Sequence, residues 1–466
     1  MNKLLQSVKQ SIIETGLRDG MTISFHHHLR NGDYVLNMVL AAAAEMGIKY
    51  LTVNMSSVFD VHAPLVDHIR NRTVTGLETS YISGAVGRAV SSGILDQPVV
   101  FRTHGGRPAA LERGESHIDV AFIAAPTADS MGNCTGKTGM SACGSIGYAV
   151  ADAIYADQVV VITDNLVPYP LGNFSIPEIY IDYVVAVDKI GDPGGIVAGT
   201  TKITRDPVGL AIAEYTARAI QHSGLLKDGF SFQTGAGGVS LATAGYLKQI
   251  MTAGNIKGSF GMGGITGYLV DMLKHGCFQT LMDVQCFDLD AVESLRTNPN
   301  HVEVSAAHYA SPCAGSALAD SLDTVILGAA EIDVDFNVNV HTDSGGSIIG
   351  GSGGHSDTAA GAKLTMIAAP LTRARIPVIT DRVMTVSTPG NTVDVLITQC
   401  GIAVNPVHTE LRKRLAGAGL PVTDIQELKQ RAEALTGKPR KIIRGKRKVA
   451  DVVYRDGTVI DHIYQL

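Results

Sequence analysis

The sequence predicts an α/β protein built from two tandem, duplicated domains, each an open, mainly parallel sheet. Two observations carry this: short Val/Ile-rich runs alternate with helical stretches, and the chain repeats itself. Leu17-Arg18-Asp19-Gly20-Met21-Thr22-Ile23-Ser24-Phe25 is echoed by Leu226-Lys227-Asp228-Gly229-Phe230-Ser231-Phe232-Gln233. Gly47-Ile48-Lys49 returns as Asn255-Ile256-Lys257, Leu65-Val66-Asp67 as Leu269-Val270-Asp271, and Val161-Ile162-Thr163-Asp164 as Val378-Ile379-Thr380-Asp381. The order holds throughout and the offset stays between 204 and 217, which points to duplication.

In the first copy the apolar runs are 50–53, 99–101, 120–124, 159–163 and 184–187. In the second they are 258–261, 280–284, 324–330, 363–368 and 393–398. Apolar runs separated by helices indicate parallel strands buried on both faces. A helix over 208–221 stops at Ser223-Gly224, so the boundary falls there, giving domains 1–222 and 223–466. Residues 1–16 mix Lys3, Gln6, Lys9, Gln10 and Glu14 with Leu and Ile, the pattern of an amphipathic helix. A short C-terminal extension ends in a hairpin around Asp456-Gly457. In such sheets ligands are expected at the C-terminal ends of the strands.

Composition narrows the function. The 466 residues exceed one domain at the usual ~150 residues each. With 38 Lys plus Arg against 44 Asp plus Glu, the net charge is −6, which gives no basic footprint for nucleic acid. A hydrophobic content of 45% argues against disorder. No apolar run nears the ~18 residues of a membrane span, and no signal-peptide core opens the chain. Cys134, Cys143, Cys277, Cys286, Cys313 and Cys400 form no CxxC pair and read as buried small hydrophobes in a reducing compartment. The expectation is a cytoplasmic protein. Glycine numbers 51, an excess that suits loops wrapped closely around a ligand.

Three such loops lie in the second copy. Gly235, Ala236, Gly237 and Gly238 follow Gln233-Thr234 and precede a helix over 240–251. Gly258-Ser259-Phe260-Gly261-Met262-Gly263-Gly264 leads into a helix over 266–275. Gly350-Gly351-Ser352-Gly353-Gly354-His355 closes the third. Without Cβ atoms, backbone N–H groups can face a phosphate, a carboxylate or a developing oxyanion. The bland alternative is glycines that merely permit tight turns. No Walker A or clean GxGxxG pattern is present.

Where the second copy has Thr234-Gly235-Ala236-Gly237, the first has Phe25-His26-His27-His28, then Leu29-Arg30-Asn31-Gly32-Asp33. Nearby, Arg102-Thr103-His104-Gly105-Gly106-Arg107 follows the run 99–101. This set reads as potential cations and donors able to hold a polycarboxylate. Capping or packing for the histidines, and surface ion pairs for the arginines, are the alternatives. Zinc is disfavoured, since adjacent histidines cannot all face one ion and no Cys or carboxylate has matching spacing.

Phe232-Gln233-Thr234-Gly235-Ala236-Gly237-Gly238, the run from Ala329-Ala330-Glu331-Ile332-Asp333 to Val338-Asn339-Val340, and Gly351-Ser352-Gly353-Gly354-His355-Ser356-Asp357 resemble the CoA-transferase superfamily. More closely, the chain from about Leu17 to its end resembles the citrate lyase α-subunit family, through Gly16-Leu17-Arg18-Asp19-Gly20-Met21, Asn298-Pro299-Asn300-His301, Arg375-Ile376-Pro377 and Gly401-Ile402-Ala403-Val404-Asn405-Pro406. The resemblance implies a CoA-transferase-type fold and an exchange of citrate for the acetyl group on an acyl-carrier-protein thioester, releasing acetate. The co-substrate is then acetyl-CoA or the carrier's phosphoribosyl-dephospho-CoA group. The implied partners are a carrier γ subunit and a β subunit that cleaves the citryl thioester, within an oligomeric complex. No metal is expected.

Many CoA-transferases form an acyl-enzyme anhydride on a glutamate placed just before the helix that here begins near Thr266. Here that loop, Gly258 to Gly264, holds no carboxylate, and Asp283 and Glu331 are the nearest candidates in sequence. The expectation is therefore direct attack by citrate, without a covalent enzyme intermediate. Gly261, Met262, Gly263 and Gly264 are placed beside the reacting carbonyl. Gly235, Ala236, Gly237, Gly238, Gly350, Gly351, Ser352, Gly353, Gly354 and His355 are assigned to the thioester carrier. His26, His27, His28, Arg102 and His104 are assigned to citrate. The basic residues Lys438, Arg440, Lys441, Arg444, Lys446, Arg447 and Lys448 suit either an acidic carrier or a guarded strand edge. Alternatives are a citramalate or other CoA-transferase using free CoA, an acyl-CoA hydrolase, and a non-catalytic scaffold.

Overall fold

The computed structural model describes residues 3–466 except 198–201, 236, 440, 441 and 443. Two large sheets form the frame. The ten-stranded sheet runs Leu4–Leu5, Tyr183–Ala186, Gln158–Thr163, Val120–Ala124, Thr22–Phe25, Leu51–Met55, Val74–Thr79, Val99–Phe101, Lys448–Val453, Val459–Tyr464. The nine-stranded sheet runs His301–Glu303, Phe278–Cys286, Gly258–Ile265, Phe232–Thr234, Thr324–Leu327, Leu364–Ala368, Val395–Thr398, Gly401–Val404, Val422–Thr423.

Seven strands stand in the same relative order in both sheets, Tyr183–Ala186 through Val99–Phe101 matching Val395–Thr398 through His301–Glu303. The duplication visible in sequence is thus a duplication of topology. Every residue of Val120–Ala124 and of Leu364–Ala368 is buried, as expected of strands with helices on both faces. Phe25 and Phe122 stack at 5.8 Å across neighbouring strands of the first sheet.

Several expectations need correction. The run 258–261 continues as one strand, Gly258–Ile265, so most of the expected glycine loop is sheet. The N-terminal helix is only Val8–Glu14, capped by Ser7, whose side chain accepts from Gln10 N. Before it, Leu4 and Leu5 pair in parallel with Val184 and Val185, because the edge of that strand would otherwise lie open. The helix Pro207–His222, assigned to the first domain, packs on the helix Gly238–Ala253 of the second half and buries Ile212, Ala213, Ala217 and Ile220. The C-terminal hairpin forms, but not with the second domain: Ala450, Asp451 and Val452 pair with Val99, Val100 and Phe101. There it covers the edge of the first sheet and buries Val449, Val452 and Ile463.

All six cysteines are free; Cys313 and Cys400 are only partly buried. Among the described residues, no helix is long and apolar enough to cross a membrane.

Candidate active site

The C-terminal ends of strands from both sheets meet at one largely buried junction, the cleft between the halves. His27, just past Thr22–Phe25, lies with its ring centroid 4.5 Å from Tyr148 and 5.3 Å from His104. Its Nδ1 is 2.6 Å from Ser56 Oγ, at the end of the neighbouring strand. The second half closes on this cluster through the backbone. Gln285 Nε2 donates to the His27 carbonyl at 2.8 Å, and His104 N donates to the Gly353 carbonyl at 2.8 Å. Gly353 N in turn donates to Ser80 O, and Ile82 N to Gly350 O.

The strand Gly258–Ile265 delivers Gly263 and Gly264 to the same place. Its pairing with Phe278–Cys286 slips by one residue between them, so Gly263 faces Asp283 and Gly264 faces Gln285. That bulge aims Gln285 at His27. Gly263 has φ +99°, a left-handed value that favours glycine, and its Cα faces the Gln233 side chain. At Gly264 a Cβ would collide with the Phe287 ring. Met262 and Gly261 do not fit their assignment. The Met262 side chain is wholly buried in the core with Val284 and Tyr309, and Gly261 lies within the strand against Leu281.

The histidine and arginine set divides. His27 and His104 come together; His26, His28 and Arg102 do not join them as a cation cluster. His26 and His28 stack on one another at 5.7 Å; His28 Nε2 sits 2.9 Å from Ala124 O, and His26 Nδ1 lies 3.7 Å from Asp152. Successive residues leaving a strand face different sides, which separates His27 from its neighbours. Burial lowers all of them: His26 and His104 to about 3, His27 well below its ordinary value, and His28 in the same direction. At neutral pH the cluster is therefore uncharged. Arg107 is taken by Asp152 through two bonds of 2.5 and 2.7 Å. Arg102 lies 3.3 Å from Glu78 and 3.7 Å from Glu115.

A different cation stands at the cleft. Arg30 lies over the Phe287 ring at 4.7 Å and the Phe59 ring at 5.4 Å. Its Nη1 is buried without a hydrogen-bond partner among the described residues. Tyr148, whose phenol burial keeps protonated, and Tyr81 lie close enough to interact with it. Arg30 stands in the run of potential cations after His28 but is not among the residues assigned to citrate, because Phe59 and Phe287 reach it only through the fold.

The third glycine loop lies over the cleft. Among the described residues the N–H groups of Gly351, Ser352 and Gly354 have no acceptor, while Gly354 abuts the Tyr309 hydroxyl, to which Gln233 donates at 3.2 Å. His355 turns inward instead, with Nδ1 2.7 Å from Thr388 Oγ1 and Nε2 2.8 Å from Gly328 O; it braces the loop. The Ser352 hydroxyl likewise bonds Ser356 Oγ at 2.6 Å. In the first loop Gly237 caps the long helix Gly238–Ala253, Gly235 is half-buried, and the Gly238 carbonyl accepts from Thr204 N. Ala236 lies outside the described residues.

Of the two carboxylates, Glu331 accepts from Asn339 and from Met384 N, away from the glycine strand end. Asp283 is closer than its sequence position implied, being the register partner of Gly263. It is fully buried, with Oδ2 3.1 Å from His301 Nε2 and 2.9 Å from Cys286 Sγ. His117, Asp119 and Asp157 form a ligand set of the kind a metal can use, with His117 and Asp157 exposed and Asp119 half-buried. They precede the strands Val120–Ala124 and Gln158–Thr163, at the end of the sheet opposite the cleft.

These halves and their shared cleft define a protein of the CoA-transferase fold. The malonate decarboxylase alpha subunit from Acinetobacter baumannii superposes with a TM-score of 0.70 at 16% identity, over 94% of this chain and 93% of that one. The 4-hydroxybutyrate CoA-transferase from Porphyromonas gingivalis gives 0.59 at 17%, over 93% and 96%. The chain belongs to the citrate lyase α-subunit family, matching "Citrate lyase, alpha subunit (CitF)" over residues 1–466. It is 50% identical to the citrate lyase alpha chain of Klebsiella pneumoniae over 464 residues, covering 100% of this chain and 91% of the relative. The alpha subunit of citrate lyase from Streptococcus mutans, solved in complex with citrate, superposes with a TM-score of 0.98 at 48% identity, over 100% and 92%.

Proposed function

We propose that the chain exchanges the acetyl group of a thioester carrier for citrate in the cleft between the two sheets, as the transferase subunit of a multi-subunit citrate lyase. The observation that carries this is the junction of the two halves at His27 and His104, which Gln285 and Gly353 reach from the second half, in a chain whose close relative from Streptococcus mutans holds citrate.

In this reading a citrate carboxylate oxygen attacks the acetyl carbonyl and the carbon–sulfur bond breaks, releasing the thiolate. The product is a mixed citryl–acetyl anhydride. The thiolate then attacks the citryl carbonyl, and acetate leaves with the bridging oxygen that came from citrate. No proton, metal or oxidant is consumed. The chain supplies position, which in favourable cases lowers a barrier by ~7–11 kcal/mol. It also supplies neutral donors for the developing oxyanion, each worth ~2.7–4 kcal/mol when aimed correctly. The N–H groups of Gly351, Ser352 and Gly354 are available for that role or for the carrier's phosphates. Gly235, Gly237 and Gly238 would line the carrier's path beside Gln233. Asp283, though adjacent in register, is enclosed with one oxygen engaged, which favours direct attack by citrate over an enzyme-bound acyl group.

The carrier γ subunit and the lyase β subunit are the proposed partners. Arg444 and Arg447 donate to the carbonyls of Met384 and Leu95 and have no carboxylate partner among the described residues, so these two keep their positive charge for an acidic carrier. Lys448, by contrast, pairs with Asp451, and Arg440 and Lys441 lie outside the described residues. The test is incubation of the purified chain with acetyl-CoA, or an acetylated carrier, and ¹³C-citrate. Labelled citryl thioester with free acetate supports the reading; free CoA without citryl thioester would make the chain a hydrolase.

A further inference from the structure

Arg30 is the one guanidinium at the cleft that the protein leaves without a counter-ion among the described residues. Arg107 is neutralised by Asp152, Arg102 by Glu78 and Glu115, and Lys137 by Glu303. Burial lowers the charged state of Arg30, yet a guanidinium remains charged in proteins, so an anion must compensate it when water leaves the site. The histidines beside it cannot be driven apart by like charge, because burial keeps them neutral.

The group is held in place. Phe59 and Phe287 flank the guanidinium, and Phe287 is the ring that Gly264 touches. Arg30 N donates to the His27 carbonyl at 2.9 Å, and that carbonyl also accepts from Gln285. Arg30 has φ +51°, a left-handed value for a side-chain-bearing residue, as functional positions often retain.

We propose that Arg30 anchors a carboxylate of the acid substrate that does not react, so that the cleft selects a di- or tricarboxylate over acetate. This rests on the proposed transferase function. During exchange the reacting carboxylate is converted to an acyl group and loses its charge; a second carboxylate keeps its charge throughout and can hold the substrate at a fixed angle. A planar fork matches that group by two parallel bonds, whereas an ammonium offers only a point charge.

The test is calorimetric titration of citrate and acetate into the full chain and its Arg30 variants, with melting temperatures of the free proteins. Arg30→Gln should weaken citrate at least ~30-fold, the loss typical of truncating one partner of a buried charged pair. Arg30→Lys should fall between, restoring charge without the fork. Arg30→Met, which removes an uncompensated buried charge, should leave the free protein's melting temperature unchanged or raised, where a purely structural arginine would lower it. Citrate binding by Arg30→Gln equal to the parent's would overturn the assignment and leave the transferase reading intact. If the parent protein binds no citrate and exchanges no thioester, both fall. Should Arg30→Gln not fold, the intermediate affinity of Arg30→Lys carries the test, and parent-like affinity there overturns the bidentate fork.

Discussion

Thr103 donates its hydroxyl to Asp357 Oδ1 at 2.7 Å, across the junction between the two halves. The other carboxylate oxygen accepts from Gly105 N at 2.9 Å, so Asp357 grips both neighbours of His104. Replacing Asp357 with Ala strands two buried donors at ~1–3 kcal/mol each. Asp357→Ala should lower unfolding stability in urea by about 2–6 kcal/mol and slow exchange, because His104 loses its flanking supports. Unchanged stability would mean the junction is held elsewhere.

Stability should fall on acidification below about pH 6.5. Six buried histidines have folded pKa values beneath the ordinary 6.5: His26, His104 and His341 at about 3, His355 at about 4, and His27 and His28 lowered in direction. Between those values and 6.5 the unfolded chain binds more protons than the folded one, so their contribution is full above 6.5 and is lost as pH drops. Asp357, whose carboxyl burial raises to about 6, acts oppositely and favours the folded state as pH falls through that value, as do Asp288 and Asp394, which burial raises in the same direction. Six histidines against three carboxyls make the net slope positive. Melting temperatures across pH 4 to 8 measure it, and a flat profile would contradict the neutral cluster.

Gly264→Ala should cut exchange by roughly a hundredfold or more while leaving the fold intact, since the new Cβ meets the Phe287 ring on which Arg30 rests. Turnover of ¹³C-citrate beside a circular-dichroism melt separates lost activity from lost structure. Parent-like turnover would show that Phe287 can move without consequence.

Arg102→Gln provides the contrast. Its guanidinium is already occupied by Glu78 and Glu115, so citrate KM should change by less than ~3-fold while stability falls slightly. A large rise in KM would restore Arg102 to the substrate and dispute the assignment of Arg30.

Much of the frame was legible because it is local. Val99–Phe101 and Val120–Ala124 have the bounds the apolar runs predicted, and the repeat of Thr22–Phe25 fell on the matching strand Phe232–Thr234. Residues 161–164 and 378–381, however, lie in strands that are not equivalent, Gln158–Thr163 matching Leu364–Ala368 instead. Gly258–Ile265 was cut short because glycine weakens the β signal; only its neighbour Phe278–Cys286 makes the extension a strand. The hairpin was legible from Asp456-Gly457, whereas its pairing with Val99–Phe101 depends on residues some 350 positions apart. His27 and His104 are both assigned to citrate from sequence and the fold brings their rings together, but neither that stacking nor the occupation of Arg102 and Arg107 by carboxylates is encoded in spacing. Arg30 was legible as one of the potential cations after His28, but its placement was not: its neighbours Phe59 and Phe287 are assembled from both halves.

The central claim is direct transfer between citrate and the thioester. Its sharpest test is a single turnover with enzyme in excess, acetyl-CoA or acetylated carrier, and citrate labelled with ¹⁸O in its carboxylates. Direct attack predicts acetate carrying one oxygen from citrate and an unlabelled protein. Unlabelled acetate together with ¹⁸O in a protein carboxylate, Asp283 being the one beside Gly263 in register, would contradict it and establish an enzyme-bound acyl intermediate.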